Sequence, residues 1–84
     1  MKTVWQPKAM KQLKKLGNKD AQTRILEATA GLVQFPNVPG VIALTNHVHG
    51  YRMRVGNYRV LFNVLDVIEV ISIEEIKKRD ENTY

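Results

Sequence analysis

Residues 51–62 read YRMRVGNYRVLF, two runs of alternating residues broken by the pair Gly56 and Asn57, which suits a tight turn. If that pair forms the loop of a β-hairpin, Val55 pairs with Tyr58. Arg54 then lies opposite Arg59, Met53 opposite Val60, and Arg52 opposite Leu61. Side chains alternate faces along a strand, so Tyr51, Met53, Val55, Tyr58, Val60 and Phe62 share one face and Arg52, Arg54 and Arg59 share the other. Like charges placed directly across a ladder destabilise a hairpin. The basic face is then either a well-solvated surface lying beside Glu74 and Glu75, or a surface that waits for an anion. We carry the anion forward, because guanidinium is permanently charged and its planar fork matches a phosphate.

Two further groups could join these arginines. His47 and His49 stand two apart in the loop TNHVHG, a spacing that places both on one side of an extended segment. With no cysteine or carboxylate beside them they make a poor metal site, so neither metal nor cofactor is expected; a loop histidine near the arginines could act as acid or base. The segment EEIKKRDENTY, residues 74–84, holds Lys77, Lys78, Arg79 and Tyr84 without a clear apolar stripe. By itself it reads as a fraying terminus.

The elements that must position these groups follow from periodicity. Thr3, Val4 and Trp5 form a short β-prone run stopped by Pro7. Met10, Leu13 and Leu16 recur every three residues over 7–16, with lysines elsewhere and Gly17 placed to end the helix. Asn18 can cap a second helix, Asp20 lies near its positive end, and Ala21, Ile25, Ala28 and Leu32 mark its apolar stripe up to Pro36. The helical lysines read as a solvated outer surface. A short strand is expected at 41–44, then the hairpin, then a long strand at 67–73 laid antiparallel beside 58–64 by a tight turn at Leu65 and Asp66. The fold class is therefore α+β: an N-terminal strand and an antiparallel helical hairpin packed on one face of a small, mainly antiparallel sheet. Met10, Leu13, Ile25 and Leu32 should meet that sheet, leaving the three arginines on its uncovered face.

The 84 residues make one domain, 1–84, with a single small core. Thirteen Lys and Arg against eight Asp and Glu give a net charge of +5, which favours a polyanion or an acidic protein partner. Zero cysteines exclude disulfides and thiolate metal sites, and no apolar run approaches the roughly 20 residues needed to cross a bilayer. With no signal-peptide pattern either, no membrane role is expected and the cytoplasm is the default location.

In this order of elements the chain resembles toxins of the RelE/ParE superfamily from bacterial type II toxin-antitoxin pairs. The resemblance covers nearly the whole chain. It rests most on YRMRVGNYRVLF followed by ISIEEIKKRDENTY: a Tyr-basic-x-basic strand, a turn, a Tyr-Arg strand, and a basic tail with a tyrosine. The RelE branch implies cleavage of messenger RNA in the A site of the small ribosomal subunit. There a ribose 2′-hydroxyl attacks the adjacent phosphorus. Carried over, the resemblance implies catalytic roles for Arg52, Arg54, Arg59, Arg79 and Tyr84, with Lys78 as the alternative to Arg79. Lys77, Lys78, His47 and His49 are expected to bind RNA. Arginine suits charge stabilisation but not proton transfer, so Tyr84, His47 and His49 stand open as acid or base. The implied partners are a cognate antitoxin, the ribosome with its mRNA and, through the antitoxin, operator DNA. The ParE branch, which shares the fold and poisons DNA gyrase, and a non-catalytic basic RNA-binding module are the alternatives.

Overall fold

A computed structural model describes residues 1–78. The chain runs β1 (Lys2–Trp5), α1 (Pro7–Lys14), α2 (Lys19–Ala30), β2 (Val41–Ala43), β3 (Tyr51–Val55), β4 (Tyr58–Leu65) and β5 (Val70–Lys78). Short 3-10 turns lie at Gly31–Gln34 and Asp66–Ile68. The five strands form one sheet in the order β1-β5-β4-β3-β2, with β1 parallel to β5 and all other neighbours antiparallel. No helix among the described residues is long and apolar enough to cross a membrane.

The helices form where the sequence pattern places them. Pro7 occupies the first turn of α1, where its missing N–H costs nothing, and Gly17 takes φ +67 just beyond the helix end. The Asn18 side chain accepts a hydrogen bond from the Ala21 N–H at 3.1 Å, capping α2, and Asp20 in the first turn meets the positive end of the helix dipole. Gln22 of α2 donates through Nε2 to the Leu13 carbonyl at 3.0 Å, so one helix satisfies a terminal carbonyl of the other.

Both helices cover one sheet face. Ala9, Leu13, Ile25 and Leu32 pack on Met53, Val60, Phe62, Ile71, Ile73 and Ile76, while Met10 sits at the margin, only partly buried. Phe62, Ile25, Leu32, Ile71 and Ile73 are fully enclosed, and each such burial contributes roughly 1.5–3 kcal/mol. Tyr51 stacks on Phe62 at 5.5 Å between ring centroids, and Phe35 meets Tyr51 edge-on at 5.2 Å.

The last strand departs from expectation at both ends. Asp66–Ile68 coils into a 3-10 turn and Glu69 takes φ +54, so the strand starts at Val70 rather than at 67. It then continues to Lys78, well past Ile73, through residues whose composition reads as a tail. The cause is a β-bulge: Phe62 pairs with Ile73 but Leu61 pairs with Glu75, which leaves Glu74 as the extra residue. Past the bulge the alternation resets. Ile76 returns to the core opposite Val60, and Glu75 and Lys77 fall on the uncovered face. Strand β1 occupies the outer edge of β5 over Val70–Ile73 only. On the remainder, Gln12 of α1 accepts the Ile76 N–H at 2.7 Å, so a helix side chain satisfies an edge donor that no strand reaches.

Candidate nucleic-acid interface

The hairpin register is the one the alternation predicts. Val55 pairs with Tyr58, Arg54 with Arg59, Met53 with Val60 and Arg52 with Leu61. Gly56 alone of the turn pair takes a positive φ, +57, as a two-residue hairpin loop requires of its first position. Strand β5 extends the ladder by setting Lys77 opposite Arg59. Three adjacent strands thus present Arg54, Arg59 and Lys77 in one line, which spans about 10 Å at the usual strand spacing. The next line on the same face is Ile42, Arg52, Leu61 and Glu75.

This face is not uniformly open. Arg54 and Lys77 are exposed, Arg52 is half-buried, and Arg59 retains only 9% exposure. Arg59 sits in a central strand between two other long side chains, and the enclosure reaches its guanidinium, whose Nε and Nη1 are buried. Leu61, although on the side away from the helices, is buried at 4%. The segment 44–50 turns back beside the strands: the Leu44 N–H donates to the Gly50 carbonyl at 2.8 Å, and the Gly50 N–H donates to Asn63 Oδ1 at 2.7 Å.

That loop separates the two histidines in role. His47 is exposed, and its Nδ1 accepts the His49 backbone N–H at 3.0 Å, which shapes the turn. His49 comes to lie with Nε2 at 3.7 Å from Glu75 Oε2. The other oxygen, Oε1, is 3.3 Å from Lys8 Nζ at the start of α1. The carboxylate is only 17% exposed, whereas Lys8 is 65% exposed, so the lysine reaches in from the rim. No set of three His, Asp or Glu groups suited to a metal ion converges among the described residues.

Of the residues singled out from sequence, the register places Arg52, Arg54, Arg59 and Lys77 on this face, and His49 reaches it through Glu75. Lys78 lies elsewhere. It pairs with Tyr58 on the helix side and lines a cavity of about 360 Å³ with Asn18, Asp20, Arg24 and the turn residues Gly56 and Asn57. Arg79 and Tyr84 lie outside the described residues. Sequence reasoning gave no role at the site to Lys8 and treated Glu75 as a neighbouring charge. Glu75 joins the face only because of the bulge, and adjacent glutamates carry no signal for which of them a bulge ejects.

As chemistry, a line of three cations with a fourth beside it can hold successive phosphodiester oxygens, and a single half-buried carboxylate stands among them. The family model for the ParE toxin of type II toxin-antitoxin system, parDE, matches residues 3–83. Among solved structures, the chain resembles that of the archaeal RelE-RelB complex from Pyrococcus horikoshii, at 29% identity and TM-score 0.75, over 95% of this chain and 96% of that one. It also resembles a RelBE toxin-antitoxin complex from Mycobacterium tuberculosis (20% identity, TM-score 0.78, 93% and 96% covered). The isolated Escherichia coli RelE toxin follows (17% identity, TM-score 0.77, 95% and 85% covered). No curated protein matches at a significant level.

Proposed function

Because the chain belongs to the ParE toxin family of type II toxin-antitoxin systems, within the RelE/ParE superfamily, we propose that it arrests growth as a ribosome-dependent mRNA endonuclease. The observation that carries this reading is the line Arg54, Arg59 and Lys77 across three strands, with Arg52 in the neighbouring line. A phosphodiester backbone is the ligand whose repeating charge matches such a line. In the reaction the 2′-oxygen bonds to phosphorus while the bond to the 5′-oxygen breaks. The arginines stabilise the charge that gathers on the non-bridging oxygens. Arg79 and Tyr84, outside the described residues, take in this reading the roles that the resemblance implies.

The partner in this reading is a cognate antitoxin, the kind of partner with which two of the similar structures were solved. Operator DNA is reached through that antitoxin, and the protein acts in the cytoplasm. A gyrase-directed activity is the second reading, favoured by the ParE family match. One experiment separates them. The purified toxin is added to programmed ribosomes for primer extension and, in parallel, to a gyrase supercoiling assay. Site-specific cuts that need the ribosome support the endonuclease; inhibited supercoiling without cuts replaces it with the gyrase poison. Neither effect leaves a basic binding module.

A further inference from the structure

The geometry points to Glu75 as the general base that takes the 2′-hydroxyl proton, an assignment that rests on the endonuclease reading. Arginine cannot do this work because it stays protonated, and the resemblance supplies only candidates outside the described residues or in the loop. Of the loop candidates, His47 uses Nδ1 on the turn, and His49 has its Nδ1 buried while Nε2 faces Glu75. Glu75 is different. It stands in the line of Arg52 and Leu61, one line from Arg59 and Lys77, and it is the only carboxylate the ladder places in either line. Paired residues across two strand spacings put Arg52 and Glu75 about 10 Å apart at the backbone, and the next line is about 7 Å away. A phosphate seated on the exposed ends of the neighbouring line, at Arg54 and Lys77, therefore lies one line away from the carboxylate.

The surroundings keep that carboxylate fixed. Lys8 holds Oε1 from α1 and His49 faces Oε2 from the loop, so one rotamer is held from both sides. Among the described residues, the charged groups around it are Lys8, His49, Arg52, Arg59, Lys77 and, at the bulge, Glu74, whose carboxylate instead accepts from the Ser72 hydroxyl. As Glu75 takes the proton from the 2′-oxygen, the O2′–P bond forms and the P–O5′ bond breaks. The 5′-oxygen leaves with a proton from water, giving a 2′,3′-cyclic phosphate and a 5′-hydroxyl end. His49 acts through Glu75 and is a positioning residue.

The test is single-turnover cleavage on programmed ribosomes between pH 6.5 and 8.5, with the parent protein, Glu75→Gln and Glu75→Asp. The parent rate rises with pH far less steeply than that of Glu75→Gln. Glu75→Gln is about 100-fold or more slower near neutrality and gains roughly tenfold per pH unit, because hydroxide replaces the missing base. Glu75→Asp is slower than the parent but keeps the parent's pH profile, and all three melt within a few degrees of one another. A Glu75→Gln rate that matches the parent, or that is reduced but flat with pH, overturns the assignment. If the parent cuts no mRNA at all, the endonuclease reading falls instead, so the two failures are distinct.

Discussion

Arg54→Ala should stabilise the fold while disabling it. Arg54 is exposed, lies directly across β3 and β4 from Arg59, and has Lys77 one strand further on. Taking the two charges as about 7 Å apart, with water around the exposed Arg54 screening the pair, their repulsion is roughly 0.6 kcal/mol. The weaker repulsion from Lys77 at about 10 Å is nearly cancelled by attraction to Glu75 at a similar distance. For a domain of this length, ~0.6 kcal/mol raises Tm by about 2–5 °C at low ionic strength. At 1 M salt the screening length falls to about 3 Å and the gain should vanish. Cleavage moves the other way. Losing one charged contact to the phosphodiester costs about 1.5–3 kcal/mol, or roughly 10- to 150-fold in rate. Circular dichroism melts at 10 mM and 1 M KCl, paired with single-turnover primer extension, measure both effects. A variant that melts below the parent at low salt, gains stability independently of salt, or cuts as fast as the parent would refute the reasoning.

Gln12→Ala removes the acceptor of the Ile76 N–H and should cost about 1 kcal/mol, with a Tm lowered by about 4–8 °C and more self-association through the bared edge of β5, read by melting and light scattering. Asn18→Ala should cost about 1 kcal/mol through the lost cap on α2, and Asn18→Ser should recover most of it in a denaturant titration. Gly40→Ala should cost about 1–3 kcal/mol, since Gly40 holds φ +81 and a Cβ there would stand 3.2 Å from the Arg54 carbonyl oxygen. Because the Arg54 N–H donates to the Gly40 carbonyl at 3.0 Å, the same variant should weaken RNA binding, measurable by filter retention.

Local rules made the hairpin legible. Gly56 marks the turn, strict alternation on both sides leaves only one register that buries Met53, Val60 and Phe62, and the arginines fall on the far face as a corollary. The helices were legible for the same reason, down to Asn18 as the cap. The end of the sheet was not. At Glu74 and Glu75 the alternation slips by one residue, and without the partner strand in view EEIKK reads as solvated tail rather than as a strand with Ile76 in the core. Glu69 hides the strand start in the same way, because a left-handed residue inside VIEVISI interrupts a run whose composition is uniformly β-prone. The contacts of Glu75 with His49 and Lys8 depend on a loop and a helix distant in sequence. No periodicity encodes such a meeting.

The position of β5 has a consequence for synthesis. It comes last of the five strands in chain order yet lies inside the sheet, between β1 and β4. Contacts such as that of Gln6 with Ser72 join residues 66 apart. A nascent chain that has emerged only as far as Glu69 has a β1 without a partner, a β4 with a bare edge, and neither Glu75 nor Lys77 beside its arginines. The basic face is therefore assembled only once β5 has been made, and a chain that stops before it carries an incomplete sheet.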